Sequence, residues 1–138
     1  MAESAFEAIE DHLRASWSET PLVFENEDFG LADAPEPFVY VEVVADSMAQ
    51  DTFGAPGANQ WLETGGVYLH VMTPSGTGSR AARQIGERLM YLFREQPLQD
   101  IHFRDMSLGA GDPGKTFGGY FAITVTVDWE RHDFTNLP

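Results

Sequence analysis

A strand, a tight turn and a helix follow one another between positions 66 and 93, and this unit constrains the fold most. The run Val67-Tyr68-Leu69-His70-Val71-Met72-Thr73 has strand character and is stopped by Pro74. The turn Ser75-Gly76-Thr77-Gly78 follows. From Ser79 to Phe93 the apolar residues Ala82, Ile85, Leu89, Leu92 and Phe93 recur at helical spacing, which predicts a helix with one buried face. With alternation setting Tyr68, His70 and Met72 on one strand face, Val67, Leu69 and Val71 take the other.

The rest of the chain arranges itself around that unit. Ser4 followed by Glu7 fits a capping box, and Phe6, Ile9, Leu13 and Trp17 predict an amphipathic helix over 5–17. Pro21 ends it, and Leu22-Val23-Phe24 reads as a short strand. Residues 25–36 form an acidic, loop-like stretch. Residues 38–47 give the clearest strand, with Val39, Val41 and Val43 on one face and Phe38, Tyr40, Glu42 and Val44 on the other. Two apolar faces imply a central strand covered on both sides, or one face buried against a partner chain. Gly54, Pro56 and Gly57 mark a hairpin tip between 51 and 59, and 61–73 returns as the second long strand, with Gly65-Gly66 as a bulge or bend.

After Pro97, Ile101-His102-Phe103 reads as a short strand, 108–119 as a mobile turn rich in glycine, and 120–129 as the final strand. The tail from 130 to 138 reads as frayed. This order predicts a single α+β domain over residues 1–138, a mainly antiparallel sheet with a long hairpin packed against two helices.

Composition narrows the function. The net charge is −14, with eight Lys and Arg in 138 residues. Nucleic-acid affinity comes mostly from cations neutralising phosphates, so a nucleic-acid grip is not expected. An acidic surface would let nucleic acid slide past without sticking. There is no apolar run long enough to span a bilayer and no signal-peptide pattern at the N-terminus. The absence of cysteine removes thiolate chemistry and disulfides, and suits a reducing cytoplasm.

No residue pattern dictates a reaction. The turn at Gly76 and Gly78 lacks the lysine of a phosphate-binding loop, and position 81 is alanine where a dinucleotide motif needs glycine. It reads as a structural turn, with Ser79 or Thr77 capping the helix. His12, His70, His102 and His132 show no ligand spacing and read as satisfied or solvent-facing. Glu25, Glu27 and Asp28 are carboxylates that a small carboxylate- or metal-dependent enzyme would use, or an acidic surface. Met48, Phe53 and Trp61 stand in or beside the hairpin tip, where they either fold back onto their own sheet or form a contact surface for another subunit.

The ordered set of segments also resembles a family. It comprises an N-terminal helix, Pro21-Leu22-Val23-Phe24-Glu25-Asn26, Phe38-Val39-Tyr40-Val41-Glu42-Val43, and the loop with Phe53-Gly54. Thr64-Gly65-Gly66 leading through the strand to Pro74-Ser75-Gly76-Thr77-Gly78, a helix ending at Leu92-Phe93, and a strand from Gly119-Tyr120-Phe121 to Trp129 complete it. This is similar to the small tail-terminator proteins of long-tailed, lambda-type bacteriophages and prophages. The resemblance implies an α+β fold and a ring, usually of six copies, that caps the last ring of the tail tube, ends its polymerisation and offers the head-attachment surface. It further implies contacts with the tail-tube protein and with head–tail connector proteins. DNA would pass without specific binding, with no catalytic residues and no cofactor or metal. It places the protein in the virion tail, assembled in the host bacterial cytoplasm. The subunit interface is expected at Met48, Phe53 and Trp61, and an acidic lumen or surface at Glu25, Glu27 and Asp28. The acidic stretch 25–36 departs from the family pattern, so a neck or tail-completion protein of the same particle stands as an alternative.

Overall fold

The computed structural model describes residues 4–27, 36–96, 98–110 and 119–134. Helix α1 spans Ala5–Ser16, and the Ser4 hydroxyl accepts the Glu7 amide at its start. Strand β1 is Leu22–Phe24, β2 Phe38–Gln50 and β3 Gln60–Pro74. Helix α2, Arg80–Tyr91, is followed by β4, Ile101–Ala110, and β5, Tyr120–Phe134. The five strands form one sheet in the order β1-β2-β3-β5-β4, antiparallel except for the β1–β2 pair. The protein is therefore an α+β domain, as its residues predict.

Both helices pack on one face of the sheet. Ile9 and Leu13 of α1 and Ala82, Ile85 and Leu89 of α2 bury against Val39 and Val41, Val67, Leu69 and Val71, and Ile123, Val125 and Val127. Full burial of a side chain such as Leu13 or Leu89 contributes roughly 1.5–3 kcal/mol each. Gly86 lets α2 approach closely, because a Cβ there would stand 2.6 Å from Leu108 Cδ1 and 3.2 Å from Val125 Cγ2. The helices are also tied to each other by His12, whose Nε2–H donates to the Leu92 carbonyl at 2.7 Å. The opposite face carries a smaller cluster of Val23, Phe38, Tyr40 and Met72, with Tyr120 and Ala122 packed against it. Residues 38–41 are thus buried on both faces, although β3, not β2, is the central strand.

Four expectations are corrected. The bulge lies not at Gly65-Gly66 but opposite, where Asp46 is extra between the pairs Ala45↔Gly65 and Ser47↔Thr64. Strand β4 runs on to Ala110 through a second bulge at Arg104-Asp105, so 108–110 is strand, whereas 111–118 lies outside the described residues. Residues 130–134 continue β5 against 60–64 of β3, where a frayed tail was expected. Neither Ser79 nor Thr77 caps α2: the Ser79 side chain makes no capping bond, and the Thr77 hydroxyl donates to Pro74 O at 2.8 Å, closing the turn itself.

Candidate assembly surface

The long strands project past the helices. Residues 38–41 of β2 are buried, 42 and 43 partly so, and every residue from 44 to 50 is exposed. The projecting part is an arm of β2 and β3 with the end of β5 paired alongside β3 in the same sheet. Charged side chains hold it together where an apolar core gives out. Arg131 is buried on the arm; its Nε donates to Glu63 Oε1 at 2.9 Å, and carboxylate oxygens of Asp100 and Asp133 lie 3.9 Å away. Removing one partner of such a buried pair costs more than the pair itself contributes, because it leaves the other charge uncompensated.

The tip is a defined loop. The Asp51 and Thr52 amides both donate to Gln60 O, at 2.8 and 3.2 Å. The Thr52 hydroxyl accepts the Gln60 amide at 2.8 Å, and Asn59 Oδ1 accepts the Ala55 amide at 3.2 Å. Gly54 and Gly57 take φ of +90° and +82°, which other residues adopt only with strain. The ring of Phe53 is held 84% exposed at this tip.

The three apolar residues expected at the tip divide. Met48 pairs with Glu63, and Gln50 with Trp61, so Met48 and Trp61 share a sheet face one pair apart. Met48 is 49% exposed and Trp61 half-buried. Phe53 stands apart on the loop. None of the three belongs to the buried clusters.

The acidic candidates behave differently. Glu25 Oε1 accepts the Val43 amide at 3.1 Å, ending the covered part of β2. Glu27 Oε1 accepts the Phe24 amide at 2.9 Å, while its Oε2 takes Arg14 Nη2 at 2.8 Å. The Phe24 bond foremost, and then Arg14, hold the Glu27 carboxyl below the usual carboxylate range against a desolvation cost. Glu25 therefore ties the end of β1 to β2, and Glu27 ties β1 to α1. Asp28 lies outside the described residues. Among the described residues no three His, Cys, Asp or Glu side chains are grouped to hold a metal ion.

One polar set escaped the sequence reading. On the face away from the helices, His70 Nε2 lies 2.6 Å from Glu42 Oε1 and Nδ1 lies 2.8 Å from the Thr124 hydroxyl. A carboxylate only accepts, so Nε2 carries a proton, and in the neutral ring Nδ1 then accepts from Thr124. The Tyr40 ring stacks on His70 at 5.9 Å between centroids. Burial, then the charges of Glu42 and Glu25, push the Tyr40 hydroxyl above its ordinary pKa. Alternation had grouped Tyr40 with Glu42 and, separately, Tyr68 with His70, but only the β2–β3 register joins the pairs.

No family model matches the chain, and no curated protein does. Twenty-four solved chains resemble it in structure. One, known by a serial designation alone, covers 99% of both chains with a TM-score of 0.52 at 19% identity. At that identity the likeness concerns the fold. No described helix is long and apolar enough to cross a membrane.

Proposed function

We propose that this protein is a structural subunit of a phage tail, assembling into a ring that caps the tail tube, stops its growth and presents the surface to which the head attaches. The observation that carries the reading is the projecting arm with Phe53 held 84% exposed at its tip. An aromatic side chain set out in water at the end of a hydrogen-bonded loop is suited to serve as an anchor, the residue type that dominates many interfaces. The resemblance of the ordered segments to tail terminators supplies the identity of the assembly, and a neighbouring copy is the first partner for the arm. The tail tube and the head–tail connector would meet the two rims. Six copies is the number the family suggests. The acidic balance supports a channel along which DNA passes without being gripped.

The test is size-exclusion chromatography with light scattering, and electron microscopy of the purified protein, beside Phe53→Asp. Rings are expected from the parent and a folded monomer from the variant, with near-UV dichroism unchanged. A variant that assembles like the parent would remove the tip from the interface. A parent that gives no oligomer under any salt condition would overturn the ring.

A further inference from the structure

The two borders of the sheet differ in how they end. On one side β1 covers only residues 39–41 of β2. The amides of Val39 and Val43 point out to this side, donating to Pro21 O at 3.0 Å and to Glu25 Oε1 at 3.1 Å. Beyond them, residues 44–50 pair with no described strand on that edge, and all seven are exposed. At about 3.3 Å per residue this is roughly 23 Å of open edge. It holds neither Lys nor Pro, the residues that usually blunt such an edge, and its one charge is Asp46. On the other side β4 forms the border, with His102, Arg104, Asp105 and Ser107 exposed.

We infer that neighbouring copies join through these borders: residues 44–50 of β2 in one copy pair with β4 of the next, continuing the sheet from subunit to subunit. This rests on the ring reading above and names its joint. Strand direction favours it. Strand β5 is antiparallel to β3 and so runs with β2, and β4 is antiparallel to β5. A second copy set alongside without inversion therefore brings β4 antiparallel to β2. Such a head-to-tail contact repeats from copy to copy, and gives a ring where the rotation between neighbours closes.

Height and charge also match. The Asp46 bulge lies beside Gly65, which pairs with Trp129, and the Arg104-Asp105 bulge lies between Phe103↔Trp129 and Met106↔Val127. Both bulges thus sit at one level, and Arg104, whose side chain is 64% exposed, arrives next to Asp46 of the neighbour. The alternative joint, β2 against β2 about a two-fold axis, would bring two Asp46 carboxylates together and stop at a dimer.

The chain has no cysteine, so engineered pairs report cleanly. Ser47, Thr64, Glu130 and His102 form one row across the sheet. Ser47→Cys combined with His102→Cys, and with Arg104→Cys for a two-residue stagger, would be oxidised in high salt and read on denaturing gels. At least one double variant should give a ladder of chain multiples ending at the ring number, with each single variant remaining one chain. A dimer from Ser47→Cys alone would overturn the head-to-tail joint in favour of the two-fold one. Rings on grids without a ladder from either double variant would overturn the joint and leave the ring standing, the open edge then belonging to a strand from a different protein. No rings from the parent protein would remove both readings.

Discussion

The Trp129 indole occupies the space that a side chain on Gly65 would need. A Cβ at Gly65 would stand 2.5 Å from Trp129 Cζ2 and 2.0 Å from the Val44 carbonyl oxygen. The second contact is with backbone, so the clash cannot be relieved by a rotamer change alone. Gly65 pairs with Trp129 on one side and Ala45 on the other, next to the Asp46 bulge, where the arm leaves the core. Gly65→Ala is therefore expected to lower the unfolding free energy by about 1–3 kcal/mol, the usual cost of overpacking. Urea denaturation checks it, and an unchanged midpoint would mean that the strands part without cost.

Glu27 offers a pH-dependent contribution. Its folded pKa is depressed by the Phe24 amide and Arg14, so its stabilisation is present above the ordinary carboxylate value and lost as pH falls through the depressed one. With the side chain 41% exposed, solvent screening limits the effect. Glu27→Gln is expected to lower stability by about 1 kcal/mol or less at pH 7, and by progressively less as the pH falls below the ordinary carboxylate range. Thermal midpoints of parent and variant across that range should converge on acidification. A constant gap would assign the effect to packing.

How far these features could be read from the chain depended on whether burial or charge shaped each segment. Helix α1 followed from the Ser4 cap and the recurrence of Ile9 and Leu13, because one buried stripe leaves a regular trace. Phe6 fits the same recurrence yet is 40% exposed, since its ring meets Phe24 only edge-on at the rim of the core. The ends of β2, β4 and β5 were hidden for a different reason. Glu130, Arg131, His132 and Asp133 look like a solvated tail, but Glu130 pairs with Arg104 and Arg131 with Glu63 on neighbouring strands. Cross-strand charge pairing has no period along one strand. Bulges at Asp46 and Arg104-Asp105 also interrupt the alternation that betrays a strand. The prominence of Phe53 was legible as a loop aromatic, but the choice between folding back and standing out required the loop's hydrogen bonds.

The turn at 75–78 should bind no nucleotide. Gly76 and Gly78 take φ of +87° and +81°, and the Thr77 hydroxyl is spent on Pro74 O. The cleft beside it, about 320 Å³, is lined among the described residues by Ser75, Gly76, Gly78, Tyr120 and Phe121, and none of these five is cationic. Tight phosphate recognition usually adds a charge-assisted bond from Lys or Arg to the amides of a helix start. Calorimetry with ATP, GTP and NAD at millimolar concentration should show no heat of binding. Micromolar affinity that disappears on changing Gly78 would reinstate a phosphate site.

Ring formation should depend on ions. Each chain carries a net −14, so six would bring a net charge of −84 together, and that self-repulsion opposes closure. Salt screens it, with the Debye length falling from about 30 Å at 0.01 M to about 8 Å at 0.15 M. Divalent cations screen more strongly still. The purified protein is therefore expected to be mainly monomeric at low ionic strength and to associate as salt or magnesium is raised. Weak association alone would suit a cap that must form on a finished tube and not free in solution. The apolar side chains near the tip act in the opposite direction, since contacts through Phe53 and Met48 gain from salt only indirectly. Light scattering after size exclusion, at low and high ionic strength and with added magnesium, separates the two. An oligomer whose mass ignores ionic strength would show that the apolar contacts dominate and that the acidic surface is turned away from the joints between copies.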